Sequence, residues 1–235
     1  MLSPDGLRSL VEDYVGDLAL TPELGGQAES VRSALGGGKR VRGVICLATA
    51  EAAGTEAERA LPAAAALELV HAFSLVHDDL PALDDDAERR GRPSTWAEYG
   101  EAVAVLAGDA LLAEAFRLAL SYPFPQVGRE LAQATLHKLK TGALFAASVG
   151  LGLWAAEVPE REQAPWRAFG DELGLLFQIV DDILDSDGYV LTEGADGARR
   201  LADEAASRAR ARLADVPADT SVLEDIVDGL ATRTS

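Results

Sequence analysis

The chain has 235 residues, is 48% hydrophobic, and sets 39 acidic against 21 basic side chains for a formal net charge of -18. That length and apolar content suit one sizeable core, so residues 1–235 are expected to form a single domain. The charge argues against nucleic acid or an anionic membrane surface as a general partner. The longest uncharged stretch, Thr141 to Ala156, is sixteen residues, short of the roughly 20 that a spanning helix needs. The opening residues, Met1 to Gly6, carry no basic region followed by an apolar run, so a cytoplasmic location is expected by default.

Alanine and leucine dominate, β-branched runs are scarce, and apolar residues recur at helical spacing, as at Leu67, Val70, Phe73 and Leu75. The expected class is all-α, a helical bundle around a central cleft. Taken in chain order, the pattern predicts helices over about 5–19, 41–53, 57–79, 101–120, 128–156, 161–186, 194–214 and 221–232. The breaks fall at Gly36-Gly37-Gly38, Pro81, Gly91 to Ser94, Pro123 to Pro125, and Gly188. The one cysteine, Cys46, sits in an apolar run and reads as core filling.

Ahead of the second predicted helix, the glycine run leads into Lys39, Arg40 and Arg42. A second basic cluster, Arg89, Arg90 and Arg92, follows an acidic run. In so acidic a chain these are candidate anion sites. The acidic run itself, Asp78-Asp79-Leu80-Pro81-Ala82-Leu83-Asp84-Asp85-Asp86, packs five carboxylates into nine residues at the end of a long apolar helix. Neighbouring carboxylates about 4 Å apart repel by about 1 to 4 kcal/mol per pair, depending on the effective dielectric. Divalent cations are the natural compensation; a solvated acidic helix end is the plain alternative. On an unbroken helix Asp78 and Asp84 would point about 120° apart, but Pro81 disrupts that register and could let both aim at one metal.

Further along, Phe177-Gln178-Ile179-Val180-Asp181-Asp182-Ile183-Leu184-Asp185 embeds three carboxylates in an apolar helix. At about 100° per residue, Asp181, Asp182 and Asp185 share an arc of roughly 100°. Charged groups on an apolar helix are rarely buried unpaired, so a cleft with shared cations accounts for both clusters. Ligation by oxygen alone points to Mg²⁺. Zinc is not expected without cysteine or paired histidine ligands.

These residues resemble the motifs of the polyprenyl synthetase family, and of its short-chain farnesyl and geranylgeranyl diphosphate synthases in particular. Gly37-Gly38-Lys39-Arg40-Val41-Arg42 is similar to the family's basic loop, Asp78 to Asp84 with Arg89-Arg90-Gly91 to its first aspartate-rich motif, and Phe177-Gln178 with Asp181, Asp182 and Asp185 to its second. The resemblance implies a prenyltransferase that joins an allylic diphosphate to isopentenyl diphosphate head to tail. Lys39, Arg42, His71 and Arg90 would hold isopentenyl diphosphate, while Arg89, Lys140, Thr141 and Gln178 would serve the allylic diphosphate, with Phe177 also among the substrate-binding residues. Asp78, Asp84 and Asp181 would be the principal Mg²⁺ ligands, with Asp79, Asp182, Asp185 and Lys140 completing the catalytic set. A homodimer is implied as well. Without the resemblance, His71 would read as a core histidine and Lys140 as a solvated one; His77 and His137 are expected to be structural or solvated.

The chain departs from the family pattern in three places. A Gly-Gly-Gln segment with a following aspartate, usual before the Lys-Thr pair, is absent, since Thr135-Leu136-His137 runs into Lys138-Leu139-Lys140-Thr141. No lysine follows Lys140, so the usual lysine-bearing loop is missing too, and Gly43 stands where a proline is usual. A class I terpene cyclase and a non-catalytic partner subunit are the competing readings. Finally, Phe73 lies five residues, about 7.5 Å, before Asp78 on the same helix. It is expected on roughly the same face, flooring the cavity so that fifteen-carbon farnesyl diphosphate is the main product.

Overall fold

The structure is a computed structural model that describes residues 1–20, 27–136 and 142–234. Among these residues are eleven α-helices: α1 (Pro4–Gly16), α2 (Gln27–Leu35), α3 (Val41–Ala52), α4 (Ala57–Asp78), α5 (Thr95–Tyr99), α6 (Glu101–Ala119), α7 (Gln126–Leu136), α8 (Ala143–Ala155), α9 (Ala164–Asp185), α10 (Tyr189–Ala214) and α11 (Ser221–Ala231). The all-α expectation holds. The described residues add one two-stranded hairpin, β1 (Glu88–Arg89) paired antiparallel with β2 (Arg92–Pro93).

Helix α4 is the axis of the bundle. It packs against α6 on one side, α3 and α8 on another, and α1 and α2 besides. Its alanines at 60, 63, 64, 65 and 66 are fully or almost fully buried, and their small side chains let several helices approach one rod. By length and composition α4 could cross a bilayer, but 72% of its apolar window is buried inside the fold, which makes it a core helix. Helix α8 touches α3 closely: a Cβ built on Gly152 would lie 2.5 Å from the carbonyl oxygen of Cys46. Helix α9 lies against α8 and α10. The buried apolar side chains of these helices form one continuous cluster.

Four local results differ from the sequence expectation. Helices α2 and α5 were not foreseen: the first is nine residues with little apolar patterning, and the second only five. The single helix expected over 128–156 is two, α7 and α8, which pack against each other; one continuous helix could not do this. Helix α10 begins at Tyr189, but Gly194, with φ of 75° and ψ of 165°, interrupts it, so its regular part starts close to the expected 194.

Candidate active site

The glycine run Gly36 to Gly38 ends α2 and brings the chain to Arg40, which precedes α3 in the left-handed conformation at φ 50°. A non-glycine residue there costs about 1 kcal/mol or more, so something must hold it. One terminal nitrogen of Arg40 donates to the Leu35 carbonyl at 2.5 Å and the other lies 3.8 Å from Glu68. Two residues on, the Arg42 guanidinium lies 4.5 Å from the ring centre of Phe145 and 5.6 Å from that of Phe177. Those rings, from α8 and α9, are themselves stacked with centres 3.9 Å apart. The Nε atoms of both arginines are buried and have no hydrogen-bond partner. Burial pulls Arg42 below its usual guanidinium range, against the pull of Glu68 and Asp181.

Opposite this wall stands the end of α4. Pro81 stops the helix, and the chain curls back so that the Asp84 amide donates to the Asp78 carbonyl at 2.9 Å. The following hairpin turns on Arg90 and Gly91, with φ of 56° and 75°, the two positive angles of a type I′ turn. Glycine suits such a turn; Arg90 tolerates it while its side chain donates to the Gly37 carbonyl. Arg89 is clamped to buried Asp79 at 2.5 and 2.7 Å and to Asp86 at 3.2 Å. That hydrogen bond to Asp79 is the first reason its guanidinium is held above the usual range.

Between these walls lies a cavity of about 840 Å³, ample for a diphosphate with an attached hydrocarbon. Lys39, Arg42, His71, Asp78, Arg89, Arg90, Phe177, Asp181 and Asp185, all singled out in the sequence, line it. Asp79, Asp84, Asp182, Gln178 and Phe73 are not among its lining residues. Asp79 is engaged by Arg89, and Asp182 accepts from the Tyr189 amide at 3.0 Å, capping the start of α10 from outside. Asp84 is exposed in the loop. Phe73 is buried with its ring edge on His77, the centres 4.8 Å apart. The expected shared face is corrected by helix geometry: five positions turn about 500°, which leaves Phe73 about 140° away from Asp78. Lys140 and Thr141 lie outside the described residues.

Two charged lining residues, Glu68 and Arg233, were missed, while Arg40 had been marked only as part of a basic cluster. Glu68 did give a signal, being the only charged residue of the apolar run from Ala60 to Val76 apart from His71. The same signal had singled out Asp181.

Among the described residues, no group of three or more His, Cys, Asp and Glu side chains could hold a metal by itself. The donors nevertheless suit one kind of ion. Asp78 on α4 and Asp181 and Asp185 on α9 line one cavity. Asp181 is held above the usual carboxylate range by burial first, then by Asp185, with Arg42 opposing and Asp182 adding. A hard cation would relieve that stress. Mg²⁺ keeps several waters and bridges one or two carboxylates to substrate phosphates, which is the fit of such an open, oxygen-only set.

A family model described as polyprenyl synthetase matches residues 27–137 and 130–197. The chain belongs to the polyprenyl synthetase family. The match falls into two overlapping pieces, and the division lies beside the stretch where the Gly-Gly-Gln segment is absent. Geranylgeranyl diphosphate synthase of Cyanophora paradoxa is 38% identical over 193 residues, covering 67% of this chain and 64% of that protein. Thus this member of the polyprenyl synthetase family spans just under two thirds of that relative's length. Farnesyl diphosphate synthase of Escherichia coli is 35% identical over 259 residues, more than this chain contains, covering 85% of this chain and 86% of that one. The relative therefore has residues with no counterpart here. The crystal structure of a geranyltransferase from Legionella pneumophila superposes with a TM-score of 0.85 at 27% identity, covering 98% of this chain and 96% of that one.

Partly buried His71 is pushed down to about 3, by burial first and then by Arg42, Arg90, Arg40 and Arg89. It is neutral at physiological pH. The unfolded imidazole takes up its proton below about pH 6.5, while the folded one stays neutral to about pH 3. The stability this neutral state carries is present above pH 6.5 and is lost as pH falls toward 3. Urea unfolding at pH 7.5 and 4.5 should show wild type losing about 2–3 kcal/mol more than His71→Gln over that interval; equal losses would mean that His71 titrates normally.

Proposed function

We propose that the chain is a short-chain trans-prenyltransferase that condenses an allylic diphosphate with isopentenyl diphosphate. The observation that carries this reading is one cavity lined by Lys39, Arg40, Arg42 and Arg90 together with Asp78, Asp181 and Asp185. Cations drawn together on one cavity repel one another unless an anion lies between them, and one with several acceptor oxygens suits their donors. The carboxylates then need a cation between themselves and that anion.

Lys39, Arg42 and Arg90 would bind the diphosphate of isopentenyl diphosphate, with His71 donating a neutral hydrogen bond. Arg89, fixed by Asp79, and the second aspartate motif would face the allylic diphosphate. Mg²⁺, held by Asp78, Asp181 and Asp185, would supply positive charge to the departing diphosphate. The allylic carbon–oxygen bond breaks, the double-bond electrons of isopentenyl diphosphate form the new carbon–carbon bond, and the proton lost in closing the new double bond goes to the released diphosphate. Leu144, Phe177, Val180 and Leu184 line the same cavity and would exclude water from the cation. Lys39, Arg42 and Arg90 hold the acceptor in place during that step.

A non-catalytic partner subunit is the second reading, favoured by the divided family match and the absent segment. Retention of Asp78, Asp181 and Asp185 on the cavity favours catalysis. Removing a carboxylate should decide: Asp78→Ala and Asp181→Ala are each expected to lower turnover at least about hundredfold with the helical circular dichroism unchanged. EDTA should abolish turnover in the parent chain. Full turnover in EDTA, or in either variant, would remove the metal assignment.

Farnesyl diphosphate is the proposed main product. The Phe73 ring packs on His77, which lies against Gly108 of α6, outside the lining of the cavity itself. A hydrocarbon growing past fifteen carbons would leave the cavity between α4 and α6 and meet that ring there. Phe73→Ala is therefore expected to shift dephosphorylated products toward twenty carbons on chromatography, at a stability cost of about 3 kcal/mol. An unchanged length distribution in a folded, active variant would place the floor elsewhere.

A further inference from the structure

Glu68 has no part in the reaction described above, yet it is the carboxylate buried deepest in the cavity wall, at 3% exposure. One of its oxygens accepts from the Gly43 amide at 2.9 Å, and the other lies 3.8 Å from Arg40. Gly43 is the third residue of α3, one of the positions whose amide has no partner within its own helix. The residue before α3 is Arg40, whose side chain makes no capping hydrogen bond. Glu68 thus supplies, from a neighbouring helix, the acceptor that a serine or aspartate normally offers at a helix start, and its charge suits that end of the helix dipole. It is also the first-ranked of the charges that sustain the guanidinium of Arg42 against burial.

We propose that Glu68 is a positioning residue that sets the register of Arg40 and Arg42 toward the diphosphate of isopentenyl diphosphate; this rests on reading the cavity as a diphosphate site. Three connections meet in one side chain: the first turn of α3 through Gly43, the strained left-handed Arg40, and the buried Arg42. Residue 43 takes part by being glycine. A Cβ there would lie 3.0 Å from Val11 and 3.4 Å from the Glu68 side chain, and the proline usual in the family has no N–H to give. In this chain the carboxylate is therefore tied to the backbone of α3 as well as to the arginine.

The proposal makes an expectation opposite in sign to simple electrostatics. Deleting a negative charge beside two arginines should strengthen anion binding if charge alone matters. If Glu68 positions the arginines, its loss should weaken binding. Steady-state kinetics on the full chain with Mg²⁺ should show Glu68→Ala raising KM for isopentenyl diphosphate about tenfold, the worth of one charge-assisted hydrogen bond. KM for the allylic substrate should change less than about threefold, within the scatter of indirect effects. Glu68→Gln keeps an oxygen for the Gly43 amide and should recover most of the loss; it also serves if the alanine variant does not fold. An unchanged or lowered KM for isopentenyl diphosphate, equal rises in both KM values, or no recovery in Glu68→Gln would overturn the proposal. Calorimetric titration with inorganic diphosphate separates the two levels. Parent binding that is weakened in Glu68→Ala supports the positioning role even without turnover, and parent binding that is unaltered overturns it. A parent chain that binds no diphosphate refutes the diphosphate reading itself, and the proposal with it.

Discussion

Burying the guanidinium of Arg42 is the constraint from which the rest of the site follows, because a cation leaves water at the cost of several kcal/mol unless its new surroundings replace the lost solvation. Here the replacement comes from three helices at once. Phe145 and Phe177 offer ring faces from α8 and α9, a contact worth about 0.5–2 kcal/mol, while Glu68 on α4 sustains the charge. Anchoring one side chain to three helices fixes where α3 begins. That in turn fixes the glycine loop, Lys39 and Arg40. The Arg42 Nε is buried without a partner, so the guanidinium is incompletely satisfied even with these contacts.

The two aspartate motifs divide their work in the same way. In each adjacent pair, the second carboxylate is used by the protein: Asp79 clamps Arg89 and Asp182 caps α10. The first of each pair, Asp78 and Asp181, lines the cavity. Structural use of one partner directs the other toward the cavity, where the proposed Mg²⁺ would sit. Among the described residues these carboxylates form no closed metal cage. An ion that keeps its waters and shares phosphate oxygens needs carboxylates on one cavity, not a cage.

Much of this was legible in the sequence because it depends on local pattern. The apolar periodicity over 41–53, 57–79 and 101–120 gave α3, α4 and α6 nearly to the residue, and the charged residues inside apolar helices marked the cavity. Tertiary information was less accessible. Helices α2 and α5 are too short or too polar to announce themselves, and the hairpin showed only as a break at Gly91 to Ser94. The boundary between α7 and α8 was hidden by continuous helical composition. Phe73 was placed on the wrong face by a spacing of five, which leaves a helix about 140° out of phase. Neither Asp79 nor Asp182 could be told from its neighbour, since capping and clamping partners lie across the fold. Glu68 carried the right signal but stood alone, without a motif to give it a role.

The central claim is that the opposed charges of this cavity bring two diphosphates together for carbon–carbon bond formation. Product analysis tests it most directly, with the purified chain, Mg²⁺, labelled isopentenyl diphosphate and dimethylallyl or geranyl diphosphate. The account predicts labelled prenyl diphosphates longer than the allylic substrate by whole five-carbon units. Release of diphosphate with only unelongated or cyclic hydrocarbon products, or the absence of any labelled elongated product, would contradict it.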